Sequence, residues 1–70
     1  MENVEIENRV KLARIEKGLT QEQLADLIGI TRQTIILIEA AKYNPSLKLC
    51  VMIAKVTGKS LDELFWIKGD

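Results

Sequence analysis

The sequence predicts an all-α domain of five short helices, with a short strand possible at each end. Apolar residues recur at helical spacing in five blocks along 70 residues. Thr20, Thr31, Ser46 and Ser60 stand just before four of those blocks, where helix N-caps belong. Gly18, Gly29, Pro45 and Gly58 punctuate the spaces between them. A chain of this length holds one domain, residues 1–70, near the lower size for folding unaided, so oligomerisation is a natural support.

In order, Val4 and Ile6 alternate with polar neighbours, which predicts a strand over residues 3–6. A helix follows from Glu7 or Asn8 to Lys17 and stops at Gly18. Val10, Ala13 and Arg14 share one face, with Leu12 and Ile15 on its flank. Thr20 and Gln23 form a capping box that opens the second helix, with apolar contacts at Leu24, Ala25, Leu27 and Ile28. Gly29 ends that helix in a left-handed turn, and Thr31 caps a third, in which Ile35 and Ile38 lie on one face. Ala40 to Asn44 form a loop sealed by Pro45. Ser46 caps a fourth helix from Leu47 to about Val56, with Leu49, Cys50, Ile53, Ala54 and Val56 as its apolar set. Ser60, with Glu63 at the capping-box position, opens a fifth whose Leu61, Leu64 and Phe65 face inward, and residues 65–67 continue as a strand.

The connection between the second and third helices is three to four residues, short enough to force a steep crossing. Ala25 suits close approach of the two axes. The result over residues 20–39 is a helix-turn-helix whose second helix begins with Thr31, Arg32, Gln33 and Thr34, a polar N-terminus that fits the major groove of DNA. An ordinary αα-corner with solvated polar residues fits the same spacing.

Net charge is zero, but its distribution is uneven. Residues 9–59 carry nine Lys/Arg against four Asp/Glu, a surplus of +5, and both ends are acidic. A basic middle is compatible with a phosphate-facing surface. With no histidine and one cysteine, the usual zinc ligands are missing, and neither Ser46, Ser60 nor Cys50 has a histidine to activate it. No enzyme, cofactor or metal is expected. Lone Cys50, the absence of a membrane-length apolar run and the acidic start predict a reduced, cytoplasmic protein with no membrane partner.

Residues 20–39 resemble the DNA-binding motif of the Cro/CI-type (Xre) repressors, through Gln21, Ala25, Gly29, Thr31, Ile35, Ile38 and Glu39. The resemblance extends upstream over NRVKLARIEKGLTQEQL and downstream over KYNPSLKL and IAKVTGKSLDELF, roughly residues 8 to 65. It implies a five-helix lambda-repressor-like DNA-binding domain and a dimeric repressor of a pseudo-palindromic double-stranded operator. Arg32 and Gln33 would be the main base readers, beside Thr31 and Thr34. Gln21, Lys42, Tyr43 and Asn44 would meet phosphates. Arg14 and Glu39 would form a partly buried ion pair; two separate surface charges are the alternative.

Three departures from the family pattern carry expectations of their own. Ala41 replaces the usual glycine after the third helix, so that helix either extends or ends in strain. Ile36 and Leu37 replace polar residues and would touch a thymine methyl or the DNA backbone, or else mark a protein contact or weakened DNA binding. Leu12 and Ile15 stand where charges are common, so the first helix is expected to be partly covered. The rival function is a protein-interaction module of the same fold, antitoxin-like or anti-repressor. The apolar alternation at both ends suggests a two-stranded ribbon against the fifth helix and Leu12, with Phe65, Trp66 and Ile67 at a homodimer interface. Trp66 capping the monomer's own core is the other reading.

Overall fold

The computed structural model describes residues 4–69. Its elements run β1 (Ile6–Asn8), α1 (Val10–Glu16), α2 (Gln21–Ile28), α3 (Arg32–Glu39), α4 (Leu47–Thr57), α5 (Leu61–Leu64) and β2 (Phe65–Ile67). The five helices are thus present, and the termini form a two-stranded antiparallel sheet in which Ile6 faces Ile67, Glu7 faces Trp66 and Asn8 faces Phe65.

The first strand lies later than the expected 3–6, and the part of that expectation at Asn3 falls outside the described residues. Its position follows from its partner. Because β2 leaves α5 without a linker, the ladder must start beside Leu64, whose carbonyl accepts from the Arg9 N–H at 2.9 Å. At the far end the Lys68 N–H donates to the Glu5 carbonyl at 2.9 Å. Residues 6–8 are therefore held extended, and α1 begins at Val10 rather than at Glu7 or Asn8. Asn8 serves that start from outside, its side-chain oxygen accepting from the Val10 N–H at 3.1 Å.

The core joins Val10 and Ala13 of α1, Leu24, Ala25 and Ile28 of α2, Ile35 and Ile38 of α3, Ile53 of α4 and Leu64 of α5. Ala25 is closed over where α2 packs on α3, as its size requires. Leu27 is a correction: it stays 59% exposed, because it sits roughly 100° round the helix from Ile28. Leu61 likewise stays at the surface. Leu12 and Ile15 are exposed on α1, so nothing among the described residues covers that flank.

The expected caps form. Thr20 and Gln23 exchange both capping-box hydrogen bonds, and so do Ser60 and Glu63. Hydrogen bonds from the Ser60 backbone N–H and hydroxyl hold the Glu63 carboxyl below the usual carboxylate range. Thr31 and Ser46 each accept from the backbone N–H three residues on.

The end of α3 carries the strain. The Lys42 N–H bonds the Leu37 carbonyl at 2.9 Å and the Ala41 N–H bonds the Ile38 carbonyl at 3.0 Å, the Schellman pattern. That pattern needs a left-handed residue, and Ala41 supplies it at φ +58. At the equivalent place after α2, Gly29 adopts φ +74 without a Cβ to clash. For an L-residue with a side chain, this region costs about 1–2 kcal/mol. Ala41→Gly should therefore stabilise the domain by about 1 kcal/mol, less whatever entropy glycine adds to the unfolded chain. A urea midpoint equal to or below that of the unaltered protein would contradict the strain at Ala41.

Candidate nucleic-acid interface

The start of α3 presents an exposed polar end of the helical core. Thr31 caps it, with its Oγ1 accepting from the Thr34 N–H at 3.2 Å and lying 2.9 Å from the Thr34 hydroxyl. The two threonine hydroxyls are thus engaged with each other and with the helix end. Between them Arg32 and Gln33 are exposed, and among the described residues neither side chain has a hydrogen-bond or salt-bridge partner. No carboxylate lies in the first turn of α3. At 100° per residue, Gln33, Ile36, Leu37 and Ala40 form an outer row, turned away from buried Ile35 and Ile38. Ile36 and Leu37 are half-buried.

Beneath this surface lies the most buried charged cluster among the described residues. The Arg14 Nε donates to Glu39 Oε2 at 2.7 Å, with the two side chains only 10% and 5% exposed. A second guanidinium nitrogen reaches Glu39 Oε1 at 3.3 Å, and Nη1 donates to the Leu19 carbonyl at 2.9 Å. Gln21 Nε2 adds a fourth bond, to Glu39 Oε1 at 3.2 Å. The network therefore ties α1, the loop before α2, the first residue of α2 and the last residue of α3 into one unit. Gln21, expected at a phosphate, has its amide nitrogen turned to this network. It also lines an open concavity with Thr20, Glu22 and Arg32, between the starts of α2 and α3.

Lys42, Tyr43 and Asn44 are exposed just beyond α3. Lys42 and Asn44 share a shallow cleft with Glu5 and Glu7 of the N-terminal segment, so Lys42 has acidic neighbours that the sequence did not reveal. Lys59 pairs with Glu16 and Lys68 with Glu5, both at the surface. Among the described residues Arg32, Lys42, Lys48 and Lys55 form no salt bridge.

Asn8 was missed by sequence reasoning. Its Nδ2 donates to the Ile38 carbonyl at 2.9 Å, which fastens β1 to the last turn of α3. An isolated asparagine thirty residues away carries no local signal of such a bond. Phe65 packs against the core, whereas Trp66 lies on the opposite face of β2 with the Arg9 guanidinium 4.9 Å over its ring. Ile67 and Ile6 share the Phe65 face but stay 47% and 40% exposed.

No group of three or more potential metal ligands occurs among the described residues, and none of their helices is long and apolar enough to cross a membrane. Burial pushes the half-buried Cys50 thiol up, away from the reactive thiolate.

A family model described as helix-turn-helix, HTH_3, matches residues 10–64. An uncharacterized HTH-type transcriptional regulator of Methanocaldococcus jannaschii is 46% identical over 93% of this chain and 98% of its own length. One from Bacillus subtilis is 38% identical over the same shares. Among solved structures, a Bacteroides fragilis protein provisionally described as DNA-binding superposes with a TM-score of 0.79 at 30% identity, covering 87% of this chain and 98% of the other. The restriction-modification controller protein of Aeromonas hydrophila superposes with a TM-score of 0.70 at 31% identity, covering 77% and 82%.

The buried network sets a stability test. Glu39→Ala strands the Arg14 guanidinium and removes the acceptor of Gln21, and should cost about 3–5 kcal/mol in urea unfolding. Glu22→Ala, at an exposed position, should change stability by less than about 0.5 kcal/mol. Equal midpoints for the two variants would show that the pair does not hold the helices.

Proposed function

This chain belongs to the helix-turn-helix family of DNA-binding transcriptional regulators, and from that premise we propose that it is a sequence-specific repressor. On this reading it binds a pseudo-palindromic operator as a homodimer in the cytoplasm, without enzymatic activity or cofactor. The observation that carries the proposal is the start of α3: Arg32 and Gln33 stand free on a helix end ordered by a threonine cap, while a buried ion pair anchors the other end of the same helix. Arginine offers two donors to the O6 and N7 of guanine, and glutamine pairs with the N6 and N7 of adenine. Thr31 and Thr34 shape the helix end between them. Lys42, Tyr43 and Asn44 serve the phosphates, with Gln21 at the opening beside Arg32.

The dimer is proposed through the terminal ribbon. Its two strands leave both outer edges unpaired, Ile6 and Ile67 stay exposed on the face that carries Phe65, and Val4 is exposed just before β1. Phe65 itself packs inward, so Ile67 and Ile6 become the apolar contacts, with Trp66 on the other face of the ribbon. Reading two half-sites of such an operator requires the two recognition helices to lie about 34 Å apart, one turn of the duplex. The alternative, a protein-interaction module of the same fold, draws support from apolar Ile36 and Leu37. Salt-dependent retention on non-specific DNA separates the two readings.

Arg32→Ala and Gln33→Ala should each cost roughly 1–3 kcal/mol on the cognate site and relax preference at one base pair. Lys42→Ala should weaken cognate and random DNA alike and reduce the salt slope by about 1. Equal losses on both DNAs for Arg32→Ala would remove Arg32 from base reading.

Ile67→Asp places a charge on the proposed contact without touching the core. Sedimentation at micromolar concentration should show a dimer for the unaltered chain and a folded monomer for this variant. A variant that stays dimeric places the interface elsewhere.

A further inference from the structure

The outer row of α3 combines one polar reader with apolar side chains, and that combination restricts the base pairs it can face. Gln33, Ile36, Leu37 and Ala40 follow one another along the face opposite Ile35 and Ile38. Of these, only Gln33 can hydrogen-bond a base edge. Packed against a G·C pair, Ile36 or Leu37 would strip water from the cytosine amino group and the guanine acceptors and return no hydrogen bond. Thymine differs, because its C5-methyl presents apolar surface in the same groove.

The surrounding charge favours DNA over an apolar protein surface. The first turn of α3 holds Arg32 and no carboxylate, and Glu39, the one acidic residue of the helix, is buried against Arg14. An apolar row headed by Arg32, with the helix's own carboxylate neutralised, matches a polyanion that also carries methyl groups. We infer that Ile36 and Leu37 are specificity-determining residues that read thymine methyls next to the adenine contacted by Gln33, an inference that rests on the proposed DNA-binding role. Residues three and four positions on from Gln33 lie about 5–6 Å further along the helix, within roughly two base-pair steps.

The test begins with duplexes selected from a random pool by the full chain. Gln33→Ala locates the base pair that Gln33 reads. Each thymine is then replaced singly by deoxyuridine, which removes the methyl and nothing else. One or two replacements within two steps of the Gln33 position should weaken binding about fourfold each, the effect of one buried methyl group. That sensitivity should vanish in Ile36→Ala or Leu37→Ala, while replacements elsewhere in the site behave as before. The measurement on the unaltered chain needs no variant, so a variant that fails to fold leaves it decisive. Selective binding indifferent to every deoxyuridine overturns the inference and leaves the proposed function standing. A methyl effect that persists in both alanine variants overturns the assignment to Ile36 and Leu37. Failure to select any duplex removes both readings together.

Discussion

The ion pair between Arg14 and Glu39 is the constraint on which the remaining geometry depends. Two charges removed from water are costly unless every lone pair and N–H is used, and here the partners are supplied from four places in the chain. Leu19 contributes a carbonyl and Gln21 an amide, so the cluster cannot form until α1, the loop and both helices of the central motif have docked. Apolar contacts alone would permit small rotations of α3 on α2, since Ile35 and Ile38 are non-directional anchors. Hydrogen bonds with fixed geometry remove that freedom. The pair therefore belongs to orientation more than to stability, since a well-packed apolar replacement would be comparably stable.

The C-terminal end of α3, which carries Glu39, has two further ties. Ala41 closes it at a backbone angle that disfavours alanine, and Asn8 grips the Ile38 carbonyl from the ribbon. The carbonyl that accepts from Asn8 also accepts from the Ala41 N–H, so a single peptide group receives both the helix stop and the ribbon. The ribbon is thus one hydrogen bond from α3. In the proposed dimer this short path would relate subunit contact to helix placement through rigid elements.

The parts legible in the sequence were those encoded locally. Thr20, Thr31, Ser46 and Ser60 cap because a hydroxyl reaches an N–H three residues on, and that relation is written in spacing. Gly29 and the strain at Ala41 were legible for the same reason. The extent of β1 was not, because it depends on where α5 delivers its partner. Nor was the exposure of Leu27: an apolar residue at the edge of a helical face is ambiguous until the neighbouring helix is placed. Within the candidate site, Arg32 and Gln33 stood out by type and position, whereas the turn of Gln21 toward Glu39 and the tie of Asn8 to Ile38 are tertiary facts with no local signature.

Zero net charge need not oppose a polyanion, because Arg32 is held apart from the acidic ribbon. Glu5 and Glu7 lie at the ribbon, which attaches to the last turn of α3, while Arg32 begins the first. Eight helical residues separate those ends by about 12 Å along the axis. At physiological ionic strength the screening length is about 8 Å, so Arg32 feels little of the ribbon's carboxylates. Lys42 does not share this insulation, since it lines a cleft with both glutamates. On the proposed reading, the base-reading end of α3 acts as a locally basic surface, and the phosphate contact at Lys42 is the weaker, partly neutralised one. As salt falls and the screening length grows, the ribbon's negative charge reaches further along α3, and affinity should then rise less steeply than the number of basic residues implies.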